Sequence, residues 1–215
     1  MIPSFPDGAT IASIQTALVA LGRFKSLDSS RATIYGIRVV PENKFGLLAE
    51  LFAQNALDGA VTGSDLIECH TAFPIYASLL ADESKHLWKA AQLEGRPGAW
   101  ARYFPAIVHD DVFAGAPRCC PACVEADREA FGIAYWRVQH QLPSVLVCNG
   151  HGNVLHDHCV ECASTYPSGG QGQLPSMACT HCGGTQSAAM RKVKDSPGAR
   201  AQAPCASRGS ARTPH

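Results

Sequence analysis

Residues 148–162, CNGHGNVLHDHCVEC, hold three cysteines and three histidines in fifteen positions, and no other stretch restricts the fold so tightly. Such crowding means redox thiols, disulfide staples or metal ligands. The wider spacing separates these readings. Seven of the ten cysteines fall into short pairs, one of them completed by a histidine: Cys120-x2-Cys123, Cys148-x2-His151, Cys159-x2-Cys162 and Cys179-x2-Cys182. Zinc takes four N or S ligands in a tetrahedron, and a two-residue gap lets one tight turn deliver two of them. The four pairs therefore make two full sites, one of three cysteines plus a histidine and one of four cysteines, with no ligand left over. Gly152 after His151 and Gly183 after Cys182 supply the tight bend. The apolar SVLV (144–147) reads as a strand feeding such a knuckle.

Other chemistries fit less of the pattern. CPAC (120–123) alone would suit a redox dithiol, but that needs thioredoxin-type flanks and leaves three pairs unexplained. A zinc deaminase shows His-x-Glu ahead of its Pro-Cys-x-x-Cys, and no histidine here has glutamate two positions on. His156 and His158 read as polar loop residues beside a metal. Cys69, Cys119 and Cys205 fall outside these spaced pairs, and of Cys119 and Cys120 only the latter keeps the two-residue gap to Cys123. A catalytic zinc keeps an open position, whereas both sites here close with protein ligands alone, so two structural Zn²⁺ ions are expected. No residue is assigned a catalytic role. No Ser/His/Asp order, phosphate-cradling loop or paired-carboxylate motif stands out, and HDD (109–111) reads as a solvated loop.

The remainder organises around this region. At 215 residues the chain suits one ordinary domain or two small ones. The spacing of Ile11, Ile14, Leu18 and Leu21 predicts a helix ending near Gly22. A second helix is expected over 45–57. A third would start at Asp82 or Ser84 and stop at Gly95, with Leu80, Leu87, Trp88 and Ala91 turned inward. The expected fold is an α-rich α+β one: a mainly helical part (1–117), a small zinc-stapled part with two knuckle-like modules (118–185), and a basic, disordered tail (186–215). Residues 1–185 carry a formal charge of −5 and residues 186–215 one of +5. The N-terminus has no signal-peptide pattern and no window is apolar enough to span a bilayer, so a soluble, cytoplasmic protein with reduced thiols is expected.

With the pairs placed, the residues between them become informative. RCCPACVEADREAFGIAYWRVQHQLPSVLVCNGHGNVLHDHC (118–159) resembles the signature of the TniQ/TnsD family of transposition target-selection proteins. The likeness runs through Tyr135, Trp136, His140, Gln141, Leu142, Pro143, Val147, Cys148, His151, Gly152 and Leu155. DLIECHTAFPIYASLLADE (65–83) is similar to the family's upstream segment through Leu66, Ile67, His70, Thr71, Pro74, Tyr76 and Ala77. FPDGATIASIQTAL (5–18) looks like a worn copy of its opening helix, with LGRF (21–24) where an Arg-Tyr-His type ending is usual.

The resemblance implies a bacterial, nucleoid-associated, non-catalytic adaptor. Such an adaptor recognises target DNA or an RNA-guided complex, recruits a transposition AAA+ ATPase, and has room to act as a homodimer. By the same likeness Cys120, Cys123, Cys148 and His151 ligate one ion, with Trp136 and His140 packed against that knuckle. Many relatives continue into helical DNA-reading domains, whereas the Arg/Ala/Ser/Pro tail resembles read-through in another frame, so a truncated or decaying copy is expected. The alternative is a RING-like cross-brace acting in protein interaction or ubiquitin transfer. It has the right order of pairs but the wrong gap, since seven residues separate His151 from Cys159.

Overall fold

The computed structural model describes residues 4–36, 44–96, 98–104, 115–167, 172–175 and 178–184. Among them run α1 (Ile11–Ala20), α2 (Leu27–Tyr35), α3 (Ala49–Leu57), α4 (Gly63–His70), α5 (Phe73–Ala77), α6 (Asp82–Leu93), α7 (Ala99–Tyr103), α8 (Pro121–Phe131) and α9 (Val138–Gln141). The fold is helix-rich, as expected. Its β component among the described residues is four isolated bridges: Ala9 with Arg137, Cys119 with His156, Val147 with Val154 and His158 with Thr165. SVLV is therefore not a strand. Only Val147 pairs, because the turn beginning at Cys148 reverses the chain at once. HDD (109–111), Cys205 and the tail from 186 lie outside the described residues.

Helix starts follow local chemistry. The Thr10 and Ser26 hydroxyls accept from the amides of Ser13 and Ser29, and Thr62 with Asp65 forms a complete capping box on α4. Helix α3 begins later than expected, at Ala49, because Leu48 is left-handed with φ 60°. Neither Asp82 nor Ser84 caps α6. Ala81 is the extended residue before it, and Asp82 and Glu83 occupy the first turn, where negative charge suits the helix dipole. Gly95 does follow the end of α6.

Two inward-facing expectations are corrected. Leu21 is 57% exposed because α1 stops at Ala20 and the residue leaves the stripe. Leu87 is 56% exposed, standing just outside the buried arc of Trp88, Ala91 and Gln92 and roughly a quarter turn from its centre.

The helical core centres on Trp88, which is fully buried. Its ring lies 4.5 Å from Phe73, 5.2 Å from Phe45 and 5.5 Å from Phe104 between centroids. Helix α3 packs between α2 and α4. At the α3–α4 contact a Cβ on Gly63 would fall 2.6 Å from the backbone nitrogen of Glu50 and 2.7 Å from its Cα. Backbone atoms cannot step aside as a side-chain tip can. Gly63→Ala is therefore expected to push the two helices apart and destabilise by about 1–3 kcal/mol, read as a lower urea midpoint; an unchanged midpoint would refute the close contact.

The same core runs into the cysteine-rich region, since Ala134, Tyr135, Trp136, Val138 and Leu174 belong to one buried cluster with Ile11, Ile14 and Leu18. Hydrogen bonds fix this junction. Thr10 N donates to Trp136 O (2.8 Å), Val138 N to Gly8 O (2.7 Å), and Trp136 N to Ser13 Oγ (2.9 Å). His70 pins the opening segment from the other side, with Nδ1 2.8 Å from Ala9 O, so that nitrogen carries the proton. Thr71 Oγ1 donates to Ile67 O and accepts from Phe73 N, joining α4 to α5.

Burial holds the His70 pKa below its ordinary value. Above about pH 6.5 the ring is neutral in both folded and unfolded chains, and below that the unfolded chain binds a proton the folded one resists. This contribution to stability is thus present at neutral pH and lost on acidification. His70→Asn keeps a donor to Ala9 without the titration, so its urea midpoint is expected to fall less between neutral pH and pH ~5.5; an equal fall in both proteins would refute the assignment.

Candidate metal centres

Cys120 is the N-cap of α8, Pro121 its first residue, and Cys123 lies in its first turn. This end of a helix carries unpaired amides and partial positive charge, which favours thiolate. The other three pairs are built alike on non-helical turns. In each, the first cysteine's carbonyl accepts from the amide four residues on: Gly152 to Cys148 (2.8 Å), Ala163 to Cys159 (2.9 Å) and Gly183 to Cys179 (2.8 Å). Its own amide donates to the carbonyl five residues on, at Asn153, Ser164 and Gly184. The hinge residues are left-handed, with φ 65°, 57° and 73°. Glycines at 152 and 183 serve the purpose read from the sequence; the third hinge, Ala163, carried no such signal.

The four pairs converge into two groups: Cys120, Cys123, Cys148 and His151, and Cys159, Cys162, Cys179 and Cys182. Within each group the ligand atoms all lie within 4.8 Å of one another. In the first, Cys123 and Cys148 sulfurs are 3.7 Å apart, and His151 Nδ1 stands 3.7, 3.3 and 3.6 Å from the sulfurs of Cys120, Cys123 and Cys148. In the second, Cys159–Cys182 and Cys162–Cys179 are both 3.7 Å. A tetrahedral ion with bonds of about 2.3 Å to sulfur and about 2.0–2.1 Å to nitrogen has S···S edges near ~3.8 Å and S···N edges near ~3.6 Å. Both groups fit a metal. Successive pairs join, first with second and third with fourth, whereas a cross-brace would join first with third. The RING-like alternative falls on that topology.

Comparison with protein-family models matches TniQ over residues 23–155, more than half of the chain. The chain belongs to the TniQ family. No curated protein matches it. The matched span contains the whole first cage of this TniQ chain and stops before the second. Membership ties the chain to transposition. Among the described residues no helix is long and apolar enough to cross a membrane.

Of the residues that carry the family likeness, Gln141 braces the approach to the first cage, while Trp136, expected against that knuckle, contacts the segment of the second. The Gln141 carboxamide grips Arg118 at both ends, Oε1 accepting from its N and Nε2 donating to its O, each at 2.8 Å. Arg118 in turn donates from Nη2 to Leu142 O. This fixes the strand of chain leading into Cys119 and Cys120. Asn153 Nδ2 donates to Cys120 Sγ (3.6 Å), a contact absent from the sequence reading. His140 is buried, burial pushes its pKa down to about 4, and its Nε2 has no hydrogen-bond partner among the described residues. Trp136 meets Tyr166 edge to face at 5.1 Å and donates from Nε1 to Gln173 O (2.8 Å), so it packs against the segment bearing the second cage.

Cys119 and Cys120 part company. Cys119 belongs to the main core and burial pushes its thiol up to about 12, so it stays protonated; Cys120 clusters with Cys123, Cys148 and Leu155. Hydrogen bonds from Cys123 and then Cys148 hold the Cys120 thiol well below its ordinary value. In the second cage the amides of Cys182 and His181 hold Cys179 down to about 6. His156 and His158 pair with Cys119 and Thr165 through the backbone and join neither cage.

At the exposed hinge Ala163 an L side chain adopts a conformation that glycine takes freely. Ala163→Gly is expected to stabilise the TniQ chain by up to about 1 kcal/mol, seen as a raised thermal midpoint; a lowered midpoint would show the turn is not strained.

Proposed function

We propose that the chain is a non-catalytic, zinc-binding target-selection adaptor for transposition, linking target DNA or a target-bound complex to an AAA+ ATPase. The observation that carries this is the family match together with two cages that each close on four protein ligands. Soft sulfur and imidazole donors in a tetrahedron select zinc over hard cations, and filled coordination leaves no site for substrate. Cys120, Cys123, Cys148 and His151 hold one Zn²⁺, and Cys159, Cys162, Cys179 and Cys182 the other. The ions then act as fold staples.

Charge points to a protein partner for the body. Seven ligand thiolates with two zinc ions leave residues 1–185 at about −8 by formal count, a surface that duplex DNA repels. Residues 1–117 form the helical part, 118–185 the zinc part, and the +5 tail (186–215) is left for nucleic acid. The protein works in the cytoplasm at the nucleoid, as a monomer or homodimer. Co-purification with the AAA+ ATPase of its own locus, with zinc counted per chain, tests the reading: two zinc ions and a stable complex are expected. Folded metal-free protein would overturn the zinc assignment, and failure to bind the ATPase would overturn the adaptor.

A further inference from the structure

The two cages show different atoms to solvent. In the first, the three sulfurs are buried and the exposed ligand is the imidazole of His151. In the second every ligand is sulfur, with Cys182 exposed, Cys162 half-buried, and Cys159 and Cys179 buried. An accessible thiolate sulfur attacks peroxides and disulfides, a reaction that imidazole does not undergo. We propose that the second cage is a peroxide-sensitive thiol switch, with Cys182 the sulfur oxidised and Cys159 the sulfur that resolves it. The first cage, with its sulfurs covered, stays loaded. This inference rests on reading both cages as zinc sites.

Cys159 Sγ lies 3.7 Å from Cys182 Sγ, within reach for a disulfide after a small approach, and the proposal commits to this pair. The Cys182 thiolate attacks one oxygen of hydrogen peroxide, the O–O bond breaks, and a sulfenic acid forms as hydroxide leaves. The Cys159 thiolate then attacks that sulfur and expels a second hydroxide, forming the disulfide. The two sulfurs together lose two electrons, and the peroxide oxygens gain them and leave, after protonation, as water. Cys162 and Cys179 alone would then be too few to hold a zinc ion. The segment between the knuckles sets Tyr166 and the fully buried Leu174 against the body, so metal loss loosens that contact.

The test treats the full, zinc-loaded chain with hydrogen peroxide, follows released zinc with a chromogenic chelator, and maps disulfides by mass spectrometry. One equivalent of zinc is expected to leave with a Cys159–Cys182 disulfide, and a thiol reductant plus zinc restores the second ion. Cys182→His keeps four ligands without the exposed sulfur and is expected to slow release about tenfold or more. His151→Cys does the reverse, placing a sulfur at the exposed corner of the first cage, and is expected to make both ions peroxide-labile. Simultaneous release from the unsubstituted chain, or a disulfide elsewhere, would overturn the proposal even with two zinc ions bound. A chain that holds no zinc before peroxide is added instead overturns the underlying metal reading, and the initial metal count tells the two failures apart.

Discussion

Cys148→Ser is expected to lower bound metal from two ions to one and to abolish cooperative unfolding of the cysteine-rich half. Cys148 is buried, provides edges to both Cys123 and His151, and packs with Cys120, Cys123 and Leu155 in a small cluster of its own. That cluster has too little apolar mass to hold itself. A structural zinc supplies on the order of 10–16 kcal/mol of folding free energy in small domains, against a total stability of about 5–15 kcal/mol for most proteins. Serine leaves three ligands and a poor oxygen donor, so the loss exceeds what the rest of the half can offset. Metal analysis, a thermal melt and protease digestion check this together. A retained cooperative melt with protease resistance would count against the metal as the staple.

Trp136→Ala should come next in size, at about 3–5 kcal/mol. The ring fills a junction between α1 and the segment around Tyr166, its amide and carbonyl bond to Ser13 and Thr10, and its indole nitrogen bonds to Gln173 O. Truncation keeps the backbone bonds but opens a large cavity where three parts of the chain meet. Trp136→Phe fills most of the volume and loses the indole bond, so about 1 kcal/mol beyond the volume change is expected. Urea denaturation of both variants separates the contributions. Equal midpoints for Phe and Ala would show that the ring's bulk does not hold the junction.

The two groups of four Cys/His side chains were legible in the sequence because two-residue spacing is a local property, and four such pairs leave little arithmetic freedom. The helices at 11–20, 49–57 and 82–93 were legible through their apolar spacing, whereas the caps at Thr10, Ser26 and the Thr62/Asp65 box, and with them α2 and α4, were not read as such. What else escaped was set by distant partners. Nothing near His70 announces a bond to Ala9, 61 positions away, and nothing near Gln141 announces its grip on Arg118. Leu87 shows the limit of periodicity: its residue type fits an inward stripe, but the direction of the core is decided by Phe45, Phe73 and Phe104 around Trp88. Ala163 was hidden differently, by a turn that glycine occupies in its two sister knuckles.

The pairing of Ala9 with Arg137 bears on how the protein comes off the ribosome. Ser13 must wait for Trp136, 123 positions later, before its hydroxyl meets its partner. At about 5–20 residues per second, translation needs on the order of ten seconds to deliver it. For that interval Ile11, Ile14 and Leu18 await part of the buried cluster they finally share, so their apolar face stays incompletely covered until the middle of the chain emerges.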